Sequence, residues 1–382
     1  MKRTRQLAIA TLLSATLSTA QAQLNGSGYY RLLNEETGRY LTIANDKVGS
    51  SMEAAFTALV TVKGFDNVVD NPASILYLRS EGGNEYDMVA QGVDTYQLTT
   101  GYHFKISNAA SNTYNIYVGW MFINYYLGDN VMDGSIISQA DIDGTARKWY
   151  ILPVNTSDNQ YFGFKPEVQD DNNGYYYTTC YAAFPFRPVD DVKVFYVDEI
   201  KDNYALMREI TGDVPAATPV IIRCPSESPS GNRVMPLTTS PEAISGNLLR
   251  GVYFDNITTA NPNYTKYDKK TMRVIGKTSN GSAGMSIADI FRLPANKAYL
   301  PVSEGEASQL TLITHEDYDK QITPEEQSIA DIGARDTFYD VYSLSGQLVA
   351  RQKTIWELTE GVYLLKSNMG SRTTVKVIIP SK

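Results

Sequence analysis

The chain has 382 residues, with 34 basic and 42 acidic side chains, a formal net charge of −8, and 27 tyrosines against two cysteines and two histidines. An acidic chain without a basic stripe repels phosphate backbones and anionic lipid, so no nucleic acid is expected among its partners. Two cysteines cannot form a cross-linked framework, so the fold must rest on buried apolar surface.

Lys2, Arg3 and Arg5 precede an apolar run from Leu7 to Leu17, which closes on Ala20-Gln21-Ala22. Cations, a short apolar core and a small-x-small site form the layout of a secretory signal peptide over residues 1–22. The run is shorter than the roughly 20 apolar residues of a membrane helix. Its removal takes three cations and no acid from the chain and moves the formal charge from −8 to −11. No cysteine follows the cut, so no lipid anchor is expected. No integral membrane segment is expected after signal cleavage.

From residue 23 to about 170 a two-stranded unit recurs. The copies are Tyr29–Ile43, Ser74–Gly92, Tyr102–Gly119 and Lys148–Pro166, with a looser one from Trp120 to Ile137. Each is an aromatic-aliphatic strand, a polar turn and a return strand. Such a series suits a barrel that closes on itself and removes its edges, and a β-trefoil is the economical expectation. A generic β-sandwich is the alternative. Met52, Ala55, Phe56, Leu59 and Val60 share a helical face, which predicts one short helix over Ser51–Val62. Trp120 and Trp149 are expected in the core.

The polar, acidic stretch Glu167–Asn173 marks a boundary. Residues 171–314 alternate again, in GYYYTTCYAAFPF, KVFYVDEIKDNYALMREI, VPAATPVIIRC, NLLRGVYF and LPANKAYLPV. A central antiparallel β-sandwich domain follows from this pattern. Ser286 is expected to cap a turn carrying Ile287, Ile290 and Phe291. Cys180 and Cys224 lie in apolar strand-like runs; export would permit a disulfide between them, and burial as small hydrophobes is the preferred reading. A polar linker is expected over 315–335, with a helical turn opening at Thr323-Pro324-Glu325-Glu326. Residues 336–382 give a last, small β-module, and the fold class is therefore all-β.

The tail VYSLSGQLV … LTEGVYLLKSNMGSRTTVKVII resembles the C-terminal sorting domains of type IX secretion substrates. Tyr342, Gly346, Val349, Gly361, Val362, Tyr363, Lys376 and Val377 match that family's order. Asp331–Arg335 stands where the family has an Asn-Pro-containing strand, so the module is shortened. The resemblance implies a small β-sandwich-like sorting module, the export machinery as a partner, and display on the outer-membrane surface of a Gram-negative bacterium or secretion from it. Gly174 to Val302 resembles a β-domain common in secreted proteins of the Bacteroidetes lineage, which implies location and architecture but no catalytic residues. YYRLLNEETGRYLTI resembles the opening of ricin-type lectin domains and implies a trefoil. The Gln-x-Trp motif of those lectins is absent, with Arg147-Lys148-Trp149 nearest to it, so no sugar-binding residues carry over.

The residues offer little reactive chemistry. Nucleophilic catalysis usually needs a histidine base. Of the two histidines, His103 alternates with Tyr102 and Phe104 in a strand and His315 opens the polar linker. Zinc needs clustered His and Cys ligands that the chain does not supply, and Asp141–Gly144 and Asp170–Asn173 lack the spacing of a calcium loop. No metal, cofactor or catalytic residue is expected. The functional hint lies in tyrosine pairs and in the run Tyr175–Tyr177. Tyr29, Tyr30, Tyr125 and Tyr126 on the first domain are the candidate ligand-binding residues, because aromatic rings stack on the apolar faces of sugars. Cross-strand packing and core filling are the competing use of the same residues. These readings point to a secreted or cell-surface binding protein without catalysis, whose N-terminal barrel meets a glycan or a host or matrix protein while the rest serves as spacer and sorting module. A polysaccharide-acting hydrolase with unidentified carboxylates, or a structural surface protein without a discrete ligand, are the alternatives.

Overall fold

The computed structural model describes residues 24, 26–46, 58–90, 96–97, 103–110, 112–120, 122–134, 136–139, 145–156, 160–189, 191–258, 262–322, 338–354, 357–367 and 374–379. The first strands are β1 (Gly28–Asn34), β2 (Arg39–Ile43), β3 (Leu59–Lys63), β4 (Leu76–Gly82), β5 (Glu85–Ala90) and β6 (Tyr96–Gln97). They continue with β7 (Phe104–Ala110), β8 (Thr113–Trp120), β9 (Ile123–Asp129), β10 (Ile136–Gln139) and β11 (Lys148–Pro153). Strand β1 pairs β4, then β4 pairs β5, β5 pairs β7, β7 pairs β8, β8 pairs β11, and β11 returns to β1. That ring is a closed six-stranded barrel. Between its strands sit the hairpin β2–β3, the short β6 and the hairpin β9–β10, so strand–insert–strand occurs three times. This is the strand order of a β-trefoil.

Period-2 alternation fills the barrel. Each ring strand sends two alternate side chains inward, from Tyr30 and Leu32 on β1 and Leu76 and Leu78 on β4 round to Trp149 and Ile151 on β11. The side chains between them face the other way, and Leu33 and Leu152 join a second cluster with Tyr40 and Val68. Trp149 is fully buried and donates from Nε1 to the Leu127 carbonyl at 2.9 Å. Asp129 ties the two flanking hairpins together. It accepts from Thr61 Oγ1 at 2.8 Å and from Thr37 Oγ1, and lies 3.7 Å from the Arg39 guanidinium.

Two expectations change here. Residues 59–63 form β3, paired along its length with β2, where a helix was predicted. The β-branched Val60, Thr61 and Val62 fit a strand, and cross-strand pairing decides the outcome. Lys148–Pro166 is not a hairpin, because β11 closes the ring while its expected return strand pairs elsewhere. Residues 51–57 lie outside the described residues, as does the side chain of Trp120.

The chain continues as β12 (Phe162–Gly163), β13 (Val168–Gln169), β14 (Tyr176–Cys180), β15 (Phe186–Pro188), β16 (Lys193–Lys201), β17 (Tyr204–Glu209), β18 (Val220–Cys224) and β19 (Arg233–Pro236). Then come β20 (Arg250–Val252), β21 (Asp255–Asn256), β22 (Asn263–Tyr264), β23 (Met272–Lys277), β24 (Ala283–Ser286), β25 (Lys297–Pro301) and β26 (Gln309–Thr314). One antiparallel sheet runs β13-β14-β18-β16-β17-β26-β24-β23-β25-β20, and a smaller sheet runs β12-β19-β15. Strands β14, β16 and β18 bury both faces. Cys180, Val194, Val220 and Ile222 meet Phe162, Phe186 and Val234 of the small sheet, while Tyr177, Phe195 and Ile221 meet Met285, Leu300 and Leu310 from the far end of the long sheet. The long sheet thus folds over its own core as an antiparallel β-sandwich.

Glu167–Asn173 enters the hairpin joining β13 to β14, whose turn closes with Gly174 at φ 75° and Gly174 N–H donating to Asp170 O. Barrel and sandwich share side chains, since Ile75 and Val154 enter the sandwich core and Phe254 enters the barrel core. Arg31, on β1 and fully buried, donates to the carbonyls of Val68, Val69, Gln160 and Tyr161 and to Ser74 Oγ. Residues up to Leu312 form one compact unit.

Cys180 and Cys224 are free and buried. On paired strands Cys180 stands opposite Val220 and Cys224 opposite Tyr176, four residues along the ladder. That offset is about 13 Å at strand rise, well beyond the roughly 7 Å Cα limit for a disulfide.

The second unit, Ile313–Lys382, opens with a helix at His315–Ile322 in place of the expected linker. Thr314 Oγ1 accepts from the Asp317 N–H at 3.2 Å, and Lys320 pairs with Glu316 at 2.8 Å, which start and support it. Residues 323–326 lie outside the described residues. The sheet β28-β27-β29-β30 consists of β27 (Tyr339–Tyr342), β28 (Leu348–Lys353), β29 (Gly361–Ser367) and β30 (Thr374–Ile379). Among the described residues its buried apolar cluster is Tyr339, Val341 and Leu365. Gly346, at φ 77°, closes the turn before β28 by donating to Ser343 O at 2.9 Å. Tyr342 lies opposite Leu348 and Leu364, Gly361 opens β29, and Tyr363 pairs with Val377. The motif residues thus mark turns and ladder positions of this sheet. Among the described residues no helix is long and apolar enough to cross a membrane.

Candidate functional site

The tyrosines singled out on the first domain do not form one platform. Tyr30 is 4 % exposed and belongs to the barrel core. Tyr29 is half-buried: its ring packs on Tyr77 and Phe184 at 5.0 and 5.3 Å, and its hydroxyl donates to Leu237 O at 2.8 Å. Burial raises its pKa. Both serve packing, which corrects their assignment as surface ligands. Tyr125 and Tyr126 are half-buried on β9, and Tyr126 is covered by Tyr117 at 5.3 Å and by the Arg147 guanidinium at 4.8 Å.

His103 faces solvent in part, and its Nδ1 lies 2.7 Å from Asp87 Oδ1. The hydrogen bond to Asp87 raises its pKa. Burial pushes the Asp87 carboxyl up, but its bonds with His103 and Arg79 outweigh this and hold it below the ordinary carboxylate range. The group is an electrostatic clasp on the outside of β4, β5 and β7. Cys180 and Cys224 are pushed up to about 12 by burial, so neither supplies a thiolate near neutral pH.

The oxygen-rich turn Asp170–Asn173 is spent on its own backbone and on the β23–β24 hairpin. Asp170 accepts from the N–H groups of Asn172, Asn173 and Ala283, and Asp171 pairs with Lys277 at 2.7 Å. Asp141–Gly144 lies outside the described residues. Among the described residues no group of three or more His, Cys, Asp or Glu could hold a metal.

The concave feature with the most varied chemistry lies on the sandwich, where the loop after β24 crosses the residues after β22. Tyr267 N–H donates to Phe291 O at 3.1 Å, Leu293 N–H to Thr265 O at 3.0 Å, and Ala288 N–H to Tyr267 Oη at 3.0 Å. These bonds hold Ile287–Leu293 as an extended strap, not the capped turn expected after Ser286. The strap buries Leu293 at its end but leaves Phe291 58 % exposed, with Ile287 and Ile290 also exposed. The Tyr264 ring backs Phe291 at 5.7 Å.

Beneath the strap opens a groove of about 470 Å³, walled by Phe291, Ile290, Pro294, Glu167, Asp255 and Arg292. Asp255 Oδ2 lies 3.6 Å from Arg292 Nε. Glu167 Oε1 lies 2.9 Å from Lys297 Nζ and accepts from Thr178 Oγ1 at 2.6 Å. Lys297 also donates to Thr178 Oγ1 at 3.0 Å. Burial lowers the Lys297 pKa, but the bond and attraction to Glu167, with the nearby Asp70 and Cys180, together outweigh this and the pKa rises. The result is an exposed aromatic face beside two fixed, ion-paired carboxylates.

None of the four sequence-predicted tyrosines lines this groove. The available signal was Ile287, Ile290 and Phe291 among Asp289, Arg292 and Pro294, a cluster that a helical reading would have hidden on one face.

No family model matches this chain, and neither does any curated protein. Among solved structures the chain is similar to a designed three-fold symmetric protein, ThreeFoil, at 15 % identity and TM-score 0.25, covering 33 % of this chain and 98 % of that one. It is also similar to the Polyporus squamosus lectin, solved bound to the human-type influenza-binding epitope Neu5Acα2-6Galβ1-4GlcNAc, at 13 % identity and TM-score 0.26. That match covers 34 % of this chain and half of the lectin. The trefoil assignment rests on the strand order described above, not on these likenesses.

Proposed function

We propose that this is an exported binding protein that holds a carbohydrate without altering it. The observation that carries the reading is the Phe291 groove, where an exposed ring stands beside Asp255 and Glu167. Sugars offer an apolar face to aromatic rings and hydroxyl donors to carboxylates, and this groove supplies both partners. Its carboxylates are held by Arg292 and Lys297, which suits them to act as fixed acceptors. The signal-peptide layout supports export, and the likeness of Tyr342, Gly346, Gly361 and Tyr363 to a sorting motif supports a handle for the export machinery.

The test is a glycan array probed with the full-length mature protein and with Phe291→Ala. Binding of a glycan set by the native protein, weakened at least tenfold in the variant, is expected. Silence across plant, mucin and bacterial glycans overturns the reading. Release of reducing ends from a bound glycan replaces it with the hydrolase reading, for which Glu167 and Asp255 in one groove are the available carboxylates.

A further inference from the structure

The groove does not end at Pro294. Behind it lies a second pocket of about 300 Å³, and Asp255 and Pro294 stand in the walls of both. Its other walls come from two parts of the unit: Asp70 and Asn71 from the turn that precedes β4, and Lys165 and Asn296 from the sandwich. Asn296 adopts φ 59° and donates from Nδ2 to Asn71 Oδ1 at 3.1 Å, while its carbonyl accepts from Tyr181 N–H at 2.9 Å. The inner pocket therefore exists only where barrel and sandwich meet. Together the two spaces reach the size range of ligand sites, about 300–1,000 Å³.

Their chemistry differs in a useful way. The outer groove has the exposed aromatic ring, whereas the inner pocket is rich in carboxylate and amide groups that accept and donate hydrogen bonds. Over both, three carboxylates (Glu167, Asp70 and Asp255) face three cations (Lys297, Lys165 and Arg292). A charged ligand entering a balanced lining gives up hydration without gaining an unopposed counter-charge, so the lining favours a neutral, hydroxyl-rich ligand.

Building on the carbohydrate reading above, we infer that the cleft holds two consecutive units of a neutral oligosaccharide. One ring stacks on Phe291 in the outer groove. The next places its hydroxyls against Asp70 and the amides of the inner pocket.

The experiment is calorimetric titration of the full-length mature protein with gluco-, manno- and galacto-oligosaccharides of one to four units, beside an oligouronic acid series of the same lengths. In the neutral series that binds, affinity is expected to rise at least tenfold from one unit to two and to change less beyond that. Asp70→Asn is expected to remove the step from one unit to two, whereas Phe291→Ala weakens every length. A flat length profile, a preference for the uronic series, or a step that survives Asp70→Asn overturns the two-unit neutral cleft while leaving carbohydrate binding intact. If no series binds, the carbohydrate reading falls and this inference falls with it. Should Asp70→Asn not fold, the length profile of the unmodified protein decides the matter.

Discussion

The barrel and the C-terminal sheet are both antiparallel, yet they solve the same problem differently. The barrel closes through β11, so each ring strand has a neighbour on both sides, and two side chains per strand fill the interior. The four-stranded sheet ends at β28 and β30; among the described residues it buries Tyr339, Val341 and Leu365, while Leu348, Val349 and Val362 stay exposed on it. Closure turns alternation into a core; an open sheet of this size leaves half its apolar pattern in water. Stability should therefore concentrate in the barrel, and small backbone changes should matter most in the sheet.

The largest effect is expected from emptying the barrel. Trp149→Ala removes a fully buried indole and its bond to Leu127 O, and should destabilise the first unit by about 3–5 kcal/mol in denaturant titration. A loss under about 1 kcal/mol would mean that the ring does not carry the fold. Next comes Arg31→Met, which keeps the stem but strands the carbonyls of Gln160 and Tyr161 that the guanidinium satisfies, while Val68 O keeps the Asn71 N–H and Ser74 Oγ. Leaving buried acceptors unpaired costs about 1–3 kcal/mol each where water cannot enter. A loss of about 3 kcal/mol is expected, measured by the same titration.

The sequence carried the local half of this architecture. Tyr29–Ile43, Ser74–Gly92 and Tyr102–Gly119 each contain two strands joined by a turn, and alternation with turn residues marks such pairs within one window. Strand β11 was misread because its partners, β1 and β8, lie far off in sequence. Residues 59–63 were misread because Leu59 and Val60 fit a helical spacing with Met52 and Phe56, and only pairing with β2 decides against it. The helix at His315 had a local signal in Thr314-x-x-Asp317, which the polar composition masked. The groove was the least legible part. Glu167, Asp255, Phe291 and Lys297 come together only when the long sheet folds over, and no period in the sequence encodes that.

In the C-terminal sheet the expected effects are smaller in energy but larger in proportion. Gly346→Ala places a side chain at φ 77°, which costs about 1–2 kcal/mol in the left-handed region. In a sheet with two open edges, that loss should raise hydrogen exchange across β27, β28 and β29 while exchange in the barrel stays as before. Equal protection in native and variant sheets would show that the module has support beyond its own core.

The smallest effect should come from the barrel's outer surface. The clasp of His103, Asp87 and Arg79 lies on strands whose inward faces already fill the core. Asp87 is held below its ordinary 3.8, so its contribution is present above that value and fades as pH falls through the lowered one. His103 is raised above its ordinary 6.5, so its contribution is complete below 6.5 and fades as pH rises through the raised value. The clasp is therefore strongest in mildly acidic solution. His103→Gln should lower Tm there by a small amount and leave it unchanged in alkaline solution, because exposed pairs are weakened by solvent. A Tm difference that persists at alkaline pH would assign His103 a packing role, and would move part of the barrel's stability from its interior to its surface.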